Sequence, residues 1–215
     1  MSVPSGEIDV WVLALDAEPG ADADPSLDAT ERDRAARFAV ADARARFVLR
    51  RAGLRRVLAG YLGMTPAELA IDRTCTRCGH PTHGKPRIPG ASLEFSTAAS
   101  GDVAVVAVMS GGRLGVDIET AGAVDAALEG RFPDGLVTEG ERRALEEGAV
   151  TAETLWLRKE ALSKAIGTGL VADAPLLDTE SPAGSWSFFD LAEIEGRRGA
   201  LAADRPITSV RIREA

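Results

Sequence analysis

The chain has 215 residues, 45% of them hydrophobic, and a formal net charge of −8. That length holds one large domain or two small ones with a real core, and the acidic balance argues against a general nucleic-acid binder. No apolar run approaches the ~20 residues of a bilayer-spanning helix, the first residues carry no basic leader, and the only two cysteines are close neighbours. A cytoplasmic protein with no membrane partner and no disulfide framework is expected.

Residues 8–17, IDVWVLALDA, alternate and are rich in branched side chains, which predicts a strand. An acidic loop follows. From Ser26 or Asp28 a long helical pattern runs through Phe38, Phe47, Val48, Leu54, Val57 and Leu58 and closes near Gly60–Gly63. Nine arginines between Arg32 and Arg56 read either as a solvated helix face or as a patch for phosphate or an acidic partner. TPAEL predicts a short capped helix. Gly and Pro make the Cys/His segment and GKPRIPG loops. GDVAVVAVMSGGRLGVDIE, residues 101–119, predicts a hairpin turning at Ser110–Gly112. Residues 123–132 and 139–147 predict helices, and TAETLWLRKEALSKAIGTGL a longer one. The tail, from SWSFFDLAEI to ITSVRIREA, predicts an antiparallel meander. The fold class is α+β, in two halves, 1–111 and 112–215, each with one main helix over a small sheet.

Of the 25 lysines and arginines only Lys85, Lys159 and Lys164 are lysine. A lysine is a compact point charge suited to one phosphate oxygen, whereas arginine favours a planar fork. In GVDIE, Asp117 and Glu119 share a strand face while Val116 and Ile118 take the other. Two such carboxylates suit Mg²⁺, which takes one or two carboxylates plus substrate phosphates; an exposed polar strand face is the alternative. On the later helix Trp156, Glu160 and Lys164 form a stripe at i, i+4, with Lys159 adjacent. Carboxylates and lysines together are the components of a magnesium–phosphate site, and no P-loop or dinucleotide fingerprint accompanies them.

The pairing of GVDIE with WLRKEALSKAIGTGL resembles the Sfp-type 4′-phosphopantetheinyl transferases, whose signature is a G-[IV]-D-x-E strand and a W-x-x-K-E-[AS]-x-x-K helix. GKP at 84–86 and the Arg-rich ARFVLRR match in order and spacing, so the resemblance covers nearly the whole chain. It implies a monomer with a pseudo-twofold repeat of two similar lobes, each a small antiparallel sheet packed with a long helix, and an active site between them. It implies Mg²⁺-dependent transfer of the phosphopantetheine arm of coenzyme A to a serine of an apo acyl or peptidyl carrier protein, as in secondary-metabolite biosynthesis, releasing 3′,5′-ADP. By that resemblance Asp117, Glu119 and Glu160 would hold Mg²⁺, and Lys159 and Lys164 would contact the phosphates. Lys85, Arg46, Arg34 and Ser96 would face the coenzyme. Glu160 and Lys164 would belong to the catalytic set, and Glu141, in TEGE, would be the base; Glu139 is a second candidate. Thr138-x-x-Glu141 also reads as a helix capping box. Arg131, Arg142 or Arg143 could meet an acidic carrier surface.

The chain departs from the family at FSTAASG, residues 95–101, where Ala98–Ala99 stand for a Ser–His pair that meets the coenzyme's 3′-phosphate. The alternative function is therefore a related protein that binds coenzyme A or a carrier with an altered donor, an altered reaction or no transfer. Cys75, Cys78, His80 and His83 have zinc chemistry, but their spacing is cramped beside usual zinc modules. They read instead as a reduced loop with two buried thiols and no structural zinc, whose end delivers Lys85.

Overall fold

The computed structural model describes residues 1–16, 23–128, 132, 135–167, 169, 178–180 and 184–215. Among them the order is β1 (Glu7–Ala14), α1 (Ala29–Ala36), α2 (Ala41–Leu62), a 3-10 turn (Pro66–Glu68), β2 (Leu93–Ser100), β3 (Val103–Ser110), β4 (Leu114–Thr120), α3 (Ala123–Leu128), α4 (Glu139–Glu146), α5 (Ala152–Ile166), β5 (Ser187–Ile194), β6 (Arg197–Ala203) and β7 (Ser209–Glu214). The strands form two small sheets, β2-β3-β1-β7 and β4-β6-β5. All pairings are antiparallel except β1 with β7, so the fold is α+β with one mixed and one antiparallel sheet. No described helix is long and apolar enough to cross a membrane.

The β3 sequence VAVVAVMS explains the layering. Val103, Val105, Ala107 and Met109 pack between the sheets against Leu114, Val116, Ile118 and Leu201. Ala104, Val106 and Val108 pack on the opposite face, towards Leu54, Val57 and Leu58 of α2. A strand covered on both faces carries a continuous apolar run. On the second sheet, Ala200 and Ala202 of β6 meet Leu157, Ala161, Leu162 and Ala165 of α5. Each sheet thus has one long helix on its outer face, and the two inner faces share a core.

Three expectations are corrected. Residues 101–119 are not a hairpin: β3 is flanked by β2 and β1, so both its edges are used and β4 pairs with β6 instead. The hairpin is β2–β3, and Ser110–Gly112 carries the chain from one sheet to the other. The tail is not a meander. β5 and β6 form a hairpin, but β7 crosses to lie parallel to β1, where Arg211 and Arg213 reach the buried Asp9 carboxylate at 2.7 and 3.3 Å. The first helix is broken between Arg37 and Val40. Fully buried Arg55 pairs with Glu31 at 2.7 Å and Asp28 at 2.6 Å. In one straight helix Glu31 and Arg55 would stand ~36 Å apart, so α1 must fold back along α2. Part of the arginine run is thus interior rather than a solvated face. The predicted helix at 123–132 is described only as α3, and 129–131 lie outside the described residues.

The two sheets meet where β2 approaches β4. Ser96 and Ser100 accept hydrogen bonds through Oγ from the backbone N–H groups of Val116 (3.1 Å) and Thr120 (3.0 Å), so hydroxyls take the place of a ladder between these strands. On the other side of β4 the approach is closer. A Cβ on Gly115 would stand 1.8 Å from the Ala161 carbonyl oxygen and 2.6 Å from the Ala165 nitrogen, so only glycine lets α5 lie on the strand. Gly115→Ala is expected to lower unfolding free energy by at least about 3 kcal/mol, the upper end of overpacking costs, read as a fall in urea midpoint. An unchanged midpoint would remove Gly115 as the packing constraint.

Candidate active site

Alternation along β4 sends Leu114, Val116 and Ile118 into the core and leaves Asp117 and Glu119 on the face that α5 covers. α5 begins at Thr151, whose side chain accepts from the Thr154 N–H, and ends at Gly167. Glu160 and Lys164 lie one turn apart on it. The Lys164 ammonium donates to Asp117 Oδ1 at 2.6 Å. Asp117 is 5% exposed, and its second oxygen, Oδ2, is buried with no hydrogen-bond partner. Burial pushes the Asp117 carboxyl above its ordinary value, against the pull of Lys164. Glu160 is also raised, first by burial and then by the charge of Asp117, with Lys164 opposing and Glu119 adding. Glu119 accepts a hydrogen bond from Ser100 Oγ at 3.1 Å.

One ammonium, that of Lys164 on Asp117, therefore serves a group of three interacting carboxylates, and one buried oxygen is orphaned. Such a group is under-neutralised and fits a hard divalent cation. The carboxylates do not close into a cage with all ligand oxygens within 4.8 Å of one another. An open arrangement suits a cation that shares its shell with substrate oxygens. Beside it lies a cavity of about 240 Å³ whose lining includes Lys85, Ser96, Thr97, Glu160 and Lys164.

The structure brings together Lys85, Ser96, Glu160 and Lys164, and joins Asp117 to them through Lys164. Lys85 donates to the carbonyl oxygens of Leu114 and Ala165, each at 3.0 Å, and pairs with Glu94. It grips β4 and the end of α5 on either side of the Gly115 contact. Arg46 pairs with Asp42 at 3.1 Å on the α2 surface. Arg34 lines a different cavity, of about 680 Å³, with Arg37, Arg51, Arg73 and Phe47. There the Arg34 and Arg51 guanidiniums both stand over the Phe47 ring, at 5.5 and 5.4 Å, and burial with neighbouring Arg73 and Arg50 lowers Arg51 to about 9. Ala98 is packed in the core between the sheets, while Ala99 faces the α2 side. Arg142 and Arg143 are exposed on α4, and Arg131 lies outside the described residues.

Glu141 and Lys159 are placed together, away from solvent. They pair at 2.7 Å with both side chains 0% exposed. Glu141 Oε2 also accepts the Thr138 N–H of its capping box at 2.8 Å, and Oε1 accepts the Thr179 N–H (2.9 Å) and hydroxyl (3.1 Å). Both oxygens are engaged, and the pair locks α4 to α5. Sequence reasoning gave Gly115 no role in forming the site. The signal for Gly115 was its place two residues before Asp117.

Lys159→Ala would leave a buried carboxylate unpaired and is expected to lower stability by about 3–5 kcal/mol, read from urea unfolding; a loss within error would make the pair dispensable. The raised Glu160 carboxyl has a different consequence. The folded state holds its proton more tightly than the unfolded chain, so its contribution to stability is present at low pH and lost as pH rises through the raised value. With divalent cations chelated, Glu160→Gln is expected to raise the urea midpoint at about pH 8 and leave it nearly unchanged at about pH 4, below or near the ordinary carboxylate range. Equal effects at both would contradict the charge crowding.

This acidic–lysine group has the chemistry to hold an anionic substrate together with a divalent cation. Residues 113–207, from the start of β4 past β6, match the family model of the 4′-phosphopantetheinyl transferase superfamily. The 4′-phosphopantetheinyl transferase HetI of Nostoc sp. is 29% identical over 221 residues, covering 94% of this chain and 90% of that protein. The L-aminoadipate-semialdehyde dehydrogenase-phosphopantetheinyl transferase of Eremothecium gossypii is 33% identical over 147 residues, 60% of this chain and 51% of that protein. The family model spans just under half of this chain, and both relatives are phosphopantetheinyl transferases by name, so the chain is similar to the 4′-phosphopantetheinyl transferase superfamily.

Proposed function

We propose that this protein transfers the 4′-phosphopantetheine arm of coenzyme A to a serine of an apo acyl or peptidyl carrier protein, with release of 3′,5′-ADP. The observation that carries the site assignment is the orphaned, buried Asp117 Oδ2 among Glu119, Glu160 and Lys164. In this reading residues 1–111 and 112–215 are two pseudo-twofold lobes with the active site between them, and the protein works as a cytoplasmic monomer. One long helix on the outer face of each sheet supports that division, although β7 returns to the first sheet.

Asp117, Glu119 and Glu160 would hold Mg²⁺. Held there, it would supply positive charge against the coenzyme's pyrophosphate while the phosphopantetheinyl group passes to the serine and its bond to 3′,5′-ADP breaks. Lys164, already 2.6 Å from Asp117, would pass to a phosphate oxygen of the entering coenzyme. Lys85 would shape the cavity wall by fixing β4 against α5 rather than by free contact with solvent. Ser96 and Thr97 offer hydroxyls to the same cavity. Glu160 also lines the cavity that would receive the carrier serine, and we assign to its carboxylate the removal of that serine's proton. The base role expected of Glu141, and the phosphate contact expected of Lys159, are not carried into the proposal. Their mutual burial favours positioning of α4 and α5. Arg34 and Arg46 remain assigned to the coenzyme's nucleotide end through the basic surface of α1 and α2.

The second reading, binding without standard transfer, is favoured by Ala98–Ala99. One experiment separates the two. The protein is incubated with coenzyme A, Mg²⁺ and a panel of apo carrier proteins, and intact masses are measured. A gain of one phosphopantetheinyl group on a carrier is expected, with at least a hundredfold loss of rate for Asp117→Ala. No gain on any carrier would overturn the transferase proposal, and an unimpaired Asp117→Ala protein would overturn the metal assignment.

A further inference from the structure

The loop from Cys75 to Gly84 has no part in the chemistry above, yet it is closely organised. Residues 76–83 are all exposed, and the segment TRCGHPTH holds no apolar side chain able to build a core. Its neck is nevertheless pinched. Asp72 and Arg87 form a backbone bridge, and the Gly84 N–H donates to the Arg73 carbonyl at 2.7 Å. A Cβ on Gly84 would stand 2.5 Å from the Thr74 carbonyl oxygen and 2.7 Å from Cys75 Cα, so the returning strand crosses directly against the outgoing one.

The tip brings soft ligands together. One ligand atom each from Cys75, Cys78 and His83 all lie within 4.8 Å of one another, the tightest such group that the described residues form. Cys78 Sγ is 3.1 Å from His83 Nε2. The backbone fixes this convergence: the Cys75 N–H donates to the His80 carbonyl and the Gly79 N–H to the Cys75 carbonyl, each at 2.8 Å. The backbone N–H groups of Cys78 and Arg77 also bond the Cys75 sulfur. The His80 ring stacks on His83 with centroids 4.7 Å apart, supporting it from outside the ligand group. Contrary to the sequence expectation, Cys78 is exposed, so the cysteines are not a pair of buried thiols.

We propose that Cys75, Cys78 and His83 form a structural zinc site that staples this loop. Two thiolates and an imidazole select a borderline-soft ion over Mg²⁺ or Ca²⁺, which prefer oxygen. Bonds of about 2.3 Å to sulfur and about 2.0 Å to nitrogen place tetrahedral ligands about 3.5 Å apart, so small side-chain adjustments suffice. Water or the nearby His80 completes the shell. The ion replaces the hydrophobic core that the tip lacks. Its effect reaches the cleft through the chain, because His83, Gly84 and Lys85 follow one another along the wall of the 240 Å³ cavity. This inference rests on the loop alone and not on the transferase proposal.

The test uses tag-free full-length protein purified under reducing conditions without chelator. About one zinc per chain is expected by elemental analysis. Replacement with Co²⁺ should give a thiolate-to-cobalt band in the near ultraviolet and the intense visible bands of tetrahedral coordination. Cys78→Ser should lose both signals while keeping the far-ultraviolet circular dichroism of the parent. Should the variant fail to fold, the wild-type cobalt spectrum decides by itself. Both thiols reacting at once with a disulfide reagent, together with no cobalt band or only weak octahedral ones, would overturn the site. Neither readout depends on transfer to a carrier.

Discussion

The contact on which the site depends is backbone against backbone, Gly115 of β4 beneath Ala161 of α5. There is no room for a methyl group between them. Interior packing transmits such a constraint directly, because helix and strand cannot close to this distance with any other residue. The closeness brings Lys164 onto Asp117 and sets Glu160 beside them. Buried alanines on β6 and α5 extend the same seam. Lys85 reinforces it by binding a carbonyl on each partner. The glycine of GVDIE therefore works through packing, and the acids two and four residues on work through charge.

That packing sets an electrostatic cost at the site. Burying Asp117 raises its carboxyl despite Lys164, and Glu160 is raised in turn by Asp117 and Glu119. The orphaned Asp117 oxygen is the sharpest expression of this imbalance. Two other buried charge clusters are satisfied. Glu141 engages Lys159, Thr138 and Thr179, and Arg55 meets two carboxylates and two backbone carbonyls, those of Pro66 and Leu69. Buried polar groups are ordinarily paired, and a carboxylate oxygen left without a partner beside two further carboxylates has the chemistry to take a cation.

The arginine-rich first helices combine both uses of charge. Arg55 is a structural strut that folds α1 over α2. Arg34 and Arg51 flank Phe47 in an open cavity, where burial first and the crowding of neighbouring cations second lower Arg51. Ala98 and Ala99, which stand where the resembled family has Ser–His, lie on β2. Ala98 serves the shared core there, and the neighbouring Ser96 and Ser100 instead tie β2 to β4.

Much of the site was legible in the sequence because its code is local. Alternation puts Asp117 and Glu119 on one strand face, and i, i+4 spacing puts Glu160 and Lys164 on one helix face, whatever the surroundings. The scarcity of lysine pointed to the helix whose Lys164 reaches Asp117. The sequence by itself determined these faces, the capping box at Thr138–Glu141 and the elements that carry them. Only the tertiary structure decided which elements meet: that β4 leaves β3 for β6, that β7 crosses to β1, and that Glu141 turns inward to Lys159. It also drew Cys75, Cys78 and His83 together despite their cramped spacing. Periodicity fixes the direction of a side chain relative to its own backbone, but its partner depends on long-range packing, which no local pattern encodes.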